Sequence, residues 1–382
     1  MASPLKVLHV SESEAWSGGA AQLTALAKGL KDRGWGVAVA CRPDGRMAQA
    51  ARERGLRVVG VPLREDYDLP SAVTLARLIQ SEKFDVVHAH HSRSHALCVL
   101  AKLLLKFRGA PAPVLVVSRR VSFPRGKNPF SMLKYRSPMI DAYLAVADAV
   151  KEVLVEGGVR PNRVRVVYSG VDTERYAPRR PEEKILREFK IPAGVPVIGK
   201  IANYSPWKGQ DVFLEAARLL AEKGRAVLFL LAGRDTDSAE LKAKVKALGL
   251  ENKVILAGFR EDVPEILSCL RISVNAATKG EGLSGALRES LSMGVPVVAS
   301  DVAGNRELLG EEAGPYAFAP GDAGAMAERL GWTLDHPEEA AAAVGRLRRR
   351  VQAQFSLRRT IERTEEIYRE LLAQRPGKSA NS

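Results

Sequence analysis

The sequence predicts two doubly wound α/β domains in tandem, each a parallel sheet covered by helices. Three observations carry this expectation. Short runs rich in Val, Ile and Leu alternate with amphipathic stretches, the alternation breaks once at a proline-rich stretch, and it then restarts with the same rhythm. At about 150 residues per domain, a length of 382 leaves room for two such cores.

In order, strands are expected at residues 5–10, 37–41, 57–61, 85–89, 114–118, 142–146 and 164–168, with helical stretches between most of them. Residues 171–196 hold Pro178, Pro181, Pro192 and Pro196 around one short charged helix, a composition suited to a connection. Beyond it, strands are expected at 195–202, 226–232, 253–257, 271–275 and 295–300. The domains are therefore expected at 1–175 and 176–354. A helix at 355–375 is free to pack on either, and 376–382 is expected to be a disordered tail. Two such domains imply a cleft facing the carboxyl ends of both sheets.

The amino-terminal apolar run is short and interrupted by Lys6, so it reads as a buried strand rather than a signal peptide. The most apolar stretch elsewhere, residues 96–105, carries Lys102 and falls short of the ~20 residues that cross a bilayer. Cys41, Cys98 and Cys269 are odd in number and far apart, which argues against a disulfide framework and suits a reducing cytoplasm.

Lysine plus arginine number 58 against 44 acids, giving a formal charge of +14, so an anionic partner is expected. Residues 86–140 hold no Asp or Glu but do hold Arg93, Lys102, Lys106, Arg108, Arg119, Arg120, Arg125, Lys127, Lys134 and Arg136. Phe107, Phe123, Phe130, Met132 and Tyr135 lie among them, a mixture that suits an anionic membrane surface as well as a solvated basic face. No nucleic-acid-binding element is recognisable.

The most informative segment runs Asn275-Ala-Ala-Thr-Lys-Gly-Glu-Gly-Leu-Ser-Gly-Ala-Leu-Arg-Glu-Ser290. It leaves a strand and opens a helix, so amides near Gly282, Leu283 and Ser284 point to phosphate binding. Gly280, Gly282 and Gly285 also satisfy Gly-x-Gly-x-x-Gly, with Asp301 about twenty residues on, as in a dehydrogenase. Against that reading, Glu281 would set a carboxylate beside a pyrophosphate, and the gap from strand to first glycine is long. Glu281 and Glu289, eight apart, would be roughly 12 Å apart along a helix, too far for a glycosidase pair. Separate jobs suit them better, sugar hydroxyls for Glu281 and a ribose for Glu289.

The stretch from Glu281 to Glu289 resembles the Glu-x7-Glu motif of retaining glycosyltransferases of the GT-B fold, family 4. Tyr168-Ser-Gly-Val-Asp-Thr-Glu-Arg-Tyr-Ala-Pro178 resembles that family's interdomain segment, Trp207-Lys-Gly209 its phosphate-side Lys-Gly, and residues 294–308 its Gly-x-Pro-Val-Val stretch. Trp16-Ser-Gly-Gly19 falls where the family has its first-domain glycine loop. The resemblance implies a GT-B fold and transfer of a sugar from a nucleotide-diphosphate donor, a UDP-sugar first, with no metal or other cofactor. It implies that Lys208 meets the diphosphate, that Gly282, Leu283 and Ser284 present amides to it, and that Glu281 and Glu289 hold sugar and ribose. The leaving diphosphate is the implied proton acceptor. The basic first domain suggests a lipopolysaccharide, lipid-linked or polysaccharide acceptor at the inner membrane face. A nucleotide-sugar epimerase of the same fold and a silent binding protein are the other readings.

This chain departs from the family pattern twice. Asn203 stands where an arginine is usual, with Arg234 or Arg306 as substitutes, and Ser118-Arg-Arg-Val121 stands where a histidine is usual. Arg119, Arg120, His90 and His91 are the candidate acceptor-side groups, Gly19 offers close backbone approach, and Arg260 is placed beside the base. His91 and His95, four apart, could share a helix face as metal ligands, but no third ligand is near in sequence. Asp235-Thr-Asp237 imitates a metal motif but reads as a loop before a helix.

Overall fold

The computed structural model describes residues 4–14, 17–120, 134–279 and 282–375. The chain forms two units, Met1–Gly170 with Leu357–Ser382, and Val171–Ser356. The chain thus enters the second unit at Val171, ahead of the expected boundary, where Val171 bridges to Ser356 at the other end of that unit and donates its amide to the Phe355 carbonyl at 2.8 Å. The C-terminal helix Leu357–Ala373 belongs to the first unit.

The first unit has seven parallel strands in the order β3-β2-β1-β4-β5-β6-β7: β1 Lys6–Val10, β2 Gly36–Cys41, β3 Arg57–Gly60, β4 Val86–Ala89, β5 Val114–Arg119, β6 Ala142–Ala145 and β7 Val164–Val166. Leu8 of β1 pairs with Ala38 of β2 on one side and with Val87 of β4 on the other. The central strands are covered on both faces, which is why they read as continuous apolar runs rather than alternations. Val7, Leu8, Val10, Val86, Val116 and Leu144 are all buried.

Helix α1 (Gly18–Asp32) starts at Ser17, whose hydroxyl accepts from the Ala20 amide, and buries Leu23, Leu26 and Leu30. The C-terminal helix packs on α1 where Gly29 leaves room, since a Cβ there would lie 2.2 Å from Ile361. Glu365 accepts from Trp35 Nε1 at 3.1 Å, and Tyr368 packs edge-on to the Trp35 ring. Helix α2 spans Arg46–Glu53, α3 Leu69–Glu82 and α4 Ser92–Phe107.

The second unit has six parallel strands in the order β10-β9-β8-β11-β12-β13: β8 Val197–Ile201, β9 Leu228–Ala232, β10 Val254–Gly258, β11 Ile272–Asn275, β12 Val297–Ser300 and β13 Ala317–Phe318. Ile198, Phe213, Phe229, Leu231, Val274 and Val298 form its core. The expected strands all form, and β13, only two residues long, is the addition that periodicity could not supply. Strand order reverses between β1 and β4 and between β8 and β11. The carboxyl ends of those strands are where open α/β sheets bind ligands.

Candidate functional site

In the second unit, the loops leaving β8 and β11 are tied together. Thr278 donates its amide to the Trp207 carbonyl at 2.9 Å. Gly209, at φ +70°, begins the helix Gln210–Glu222 and lies so close to Ala276 that a Cβ would sit 1.9 Å from its carbonyl oxygen. Only glycine allows both the left-handed turn and this approach. Half-buried Lys208 is thereby held beside the loop that carries the glycine-rich segment.

Asn203 is fixed by its backbone surroundings. Its Oδ1 accepts from the Arg234 amide at 2.9 Å, and its carbonyl accepts from Gln210 Nε2 at 2.9 Å. Arg234 therefore lies next to the position where the family pattern has arginine, whereas Arg306 is held by both oxygens of Asp301 at 2.8 and 2.6 Å.

Helix Gly285–Ser292 begins at Ser284, whose hydroxyl accepts from the Leu287 amide at 3.3 Å and from Asn275 Nδ2 at 2.8 Å. Asn275 Oδ1 in turn accepts from the Ala277 amide and from Asn305 Nδ2, so one buried asparagine fixes the loop and the helix start together. Gly282, Leu283 and Ser284 are buried at this start, while Gly280 and Glu281 lie outside the described residues. First-turn amides have no intrahelical acceptor, which makes this end attractive to an anion.

Glu289 folds back along its helix, with Oε1 3.9 Å from where a Gly285 Cβ would sit. Burial raises its carboxyl pKa, opposed by Arg288, Arg175 and a hydrogen bond from Tyr176. The Tyr176 hydroxyl is itself pushed up, by burial first and then by Glu289. Tyr176 and Arg175 lie in the segment the resemblance marked, yet sequence gave no sign that they reach Glu289.

Arg260 is committed elsewhere: it pairs with Glu188 and Asp262 and lies over the Phe189 ring at 5.3 Å. Of the Asp235–Asp237 stretch, Asp235 takes a left-handed turn, Thr236 is buried, and Asp237 abuts Gly258.

In the first unit, the ends of β1, β4 and β5 bring Gly19, His90, His91 and Arg120 together. A Cβ on Gly19 would be 3.2 Å from His91 Nε2 and 3.8 Å from Arg120 Cδ. Ser11 Oγ holds His91 Nδ1 at 2.9 Å, and Arg120 Nη2 meets His90 Nδ1 at 3.1 Å. Burial lowers the pKa of His91, opposed by Glu12, and lowers that of His90 further.

Arg119, one residue away on the strand, turns to the other side and donates to the Tyr135 hydroxyl at 2.6 Å. His91 caps α4 rather than riding on it, and His95 packs against Tyr135 and Tyr143, so the two do not share a helix face. Glu12 accepts from the Arg93 and Ser94 amides and already fills the α4 amino terminus. Trp16 lies outside the described residues.

The basic run at 86–140 is partly neutralised by acids from outside it. Buried Lys102 pairs with Asp141 at 2.5 Å, Lys134 with Asp66 at 3.0 Å, and Arg93 lies 4.0 Å from Glu65. Phe107 is 80% exposed but Tyr135 is buried, and residues 121–133, with Phe123, Arg125, Lys127, Phe130 and Met132, lie outside the described residues. Among the described residues, no helix is long and apolar enough to cross a membrane.

Two parallel sheets, each with polar loops gathered at its switch point, define a protein of two doubly wound α/β domains. The family described as Glycosyltransferase Family 4 matches residues 16–175, and that described as Glycosyl transferases group 1 matches residues 195–336, together well over half of the chain. The chain belongs to these group 1, family 4 glycosyltransferases.

It is 25% identical over 309 residues to an N-acetyl-alpha-D-glucosaminyl L-malate synthase of Bacillus anthracis, covering 80% of each chain. It is 27% identical over 259 residues to a UDP-Gal:alpha-D-GlcNAc-diphosphoundecaprenol alpha-1,3-galactosyltransferase of Escherichia coli, covering 64% of this chain and 65% of that one. Anabaena HepE, solved with UDP and glucose, superposes with a TM-score of 0.82 at 20% identity over 96% of this chain and 100% of its own. The fold is GT-B.

Proposed function

We propose that this glycosyltransferase moves a sugar from a nucleotide-diphosphate donor, a UDP-sugar first, to a lipid-linked, lipopolysaccharide or polysaccharide glycan, with retention of configuration. The observation that carries the donor reading is the joined pair of loops that ties the Lys208-Gly209 turn to Ala276 and Thr278, in the segment that leads to Gly282, Leu283 and Ser284 and to the helix carrying Glu289. In this reading the bond from the anomeric carbon to the diphosphate breaks, and charge builds on the leaving group. The Lys208 ammonium and the helix amino terminus stabilise that charge without a metal. The acceptor oxygen bonds the anomeric carbon on the face the diphosphate leaves, and its proton passes to the diphosphate.

Glu289 accepts from the ribose, Glu281 from the sugar, and Arg234 beside Asn203 supplies the cation that an arginine at 203 would have given. Gly19, His90, His91 and Arg120 face the acceptor. The HepE complex with UDP and glucose supports the donor class, and the undecaprenyl-linked acceptor in the Escherichia coli relative's name supports the acceptor class. We place the enzyme in the cytoplasm, reaching the inner membrane face through its basic first unit.

Thermal stabilisation by UDP-, GDP- and ADP-sugars tests the donor site. A ligand at a hundred times its dissociation constant adds about 2.7 kcal/mol, a shift easily read. Stabilisation by one nucleotide sugar, lost in Lys208→Ala and Glu289→Ala, is expected. Stabilisation by NAD alone would defeat the proposal. Transfer is expected to be unchanged by EDTA, and a chelator-sensitive rate would show that the reaction needs a metal.

A further inference from the structure

The first unit holds a buried polar network of which the transfer reading uses only His90 and Arg120. His9 of β1 and His88 of β4 are cross-strand neighbours, and His90 follows two residues on, so three imidazoles lie on one face of the sheet. All three are buried, and burial lowers each pKa, that of His9 to about 3, so the rings are neutral.

The ring centroids of His88 and His90 are 4.0 Å apart. Two imidazoles on one tetrahedral zinc would stand roughly 5 Å apart, given bonds of about 2 Å. The Arg120 guanidinium on His90 Nδ1 also repels a cation, so the cluster is a hydrogen-bonded stack rather than a metal centre.

The bonds have a direction. Arg120 donates to His90 Nδ1 at 3.1 Å, so neutral His90 carries its hydrogen on Nε2 and donates to His9 Nδ1 at 2.8 Å. At the other end, the Tyr368 hydroxyl meets His88 Nδ1 at 2.6 Å, and Ser118 Oγ meets His88 Nε2 at 2.8 Å. Tyr368 is fully buried and comes from the C-terminal helix. His88, Ser118 and Arg120 also wall a cavity of about 20 Å³, room for about one water, together with Thr364 of the same helix.

We propose that Tyr368 is a positioning residue: acting through His88 and His90, it fixes the guanidinium of Arg120, whose Cδ passes close to Gly19. This rests on the acceptor-side reading of Arg120 above. The C-terminal helix thereby shapes the acceptor side of the first unit.

Tyr368→Phe keeps the ring against Trp35 and removes only the hydroxyl. Thr364→Val removes a hydroxyl from the same cavity without touching His88 and serves as the control. The ring 15N resonances of His88 and His90 and the guanidinium resonance of Arg120 are to be compared, with kcat and the KM of donor and acceptor.

Tyr368→Phe is expected to move all three resonances and lower kcat roughly ten- to hundredfold with donor KM unchanged, the loss expected of a small misplacement. Thr364→Val is expected to do neither. Should Tyr368→Phe not fold, Ser118→Ala releases the other His88 nitrogen and is expected to move Arg120 likewise. Unmoved His90 and Arg120 resonances, an unchanged kcat, or an equal loss in Thr364→Val would overturn the proposal. Absence of transfer in the unaltered enzyme would count against the functional reading instead, and the resonances would still decide whether Tyr368 governs Arg120.

Discussion

At Glu289, burial raises the carboxyl pKa above its ordinary 4.5. As pH rises past that value the unfolded chain ionises first, so stability present below it is lost until the folded carboxyl has also titrated. Glu289→Gln removes this dependence. The melting temperature of the variant is expected to gain on that of the parent as pH rises past 4.5, while stabilisation by donor disappears. A variant that melts lower throughout would mean that Glu289 serves stability rather than binding. Gly209 is the opposite case. An alanine there meets both a positive φ and the Ala276 carbonyl, so Gly209→Ala is expected to cost about 2–4 kcal/mol, read from the urea midpoint.

Among elements, the C-terminal helix packs against α1 where Gly29 has no side chain. A methyl on Gly29 would meet Ile361 Cδ1 at 2.2 Å, the far end of a flexible side chain, so Gly29→Ala is expected to cost about 1–3 kcal/mol. Adding Ile361→Ala should recover more than about 0.5 kcal/mol relative to the sum of the single effects, which a double-mutant cycle measures. Additive losses would mean that the contact of Ile361 with Gly29 does not hold the helix. The strands were legible in sequence because parallel strands covered on both faces read as unbroken apolar runs. The helix at Leu357–Ala373 was legible too, but not its berth, because an amphipathic pattern gives a face and not a partner.

For the whole molecule, the charge of +14 is the property that bears on membranes. Binding to vesicles of phosphatidylglycerol is expected at low ionic strength and should be lost as the Debye length falls from about 10 Å at 0.1 M salt to about 3 Å at 1 M. Absence of binding at low salt would remove the membrane from the proposal. Counting charge along residues 86–140 overstated the exposed field, since Lys102, Lys134 and Arg93 meet Asp141, Asp66 and Glu65. Pairing is a property of space, and a window of sequence cannot contain partners that arrive from another loop.

The sequence by itself determined two parallel-sheet domains, the loops that carry Lys208 and Gly282, and the helix that carries Glu289. Such features are local: apolar runs, proline, and glycines at turns set backbone conformation within a few residues. Tertiary structure alone decided the environments. It separated Arg119 from its neighbour Arg120, committed Arg260 to Glu188 and Asp262, put Tyr176 on Glu289, and brought Tyr368 to His88 across 280 residues of chain. Burial, pKa and hydrogen-bond partners depend on which groups meet after the chain folds, and those distances are fixed by packing rather than by position along the chain.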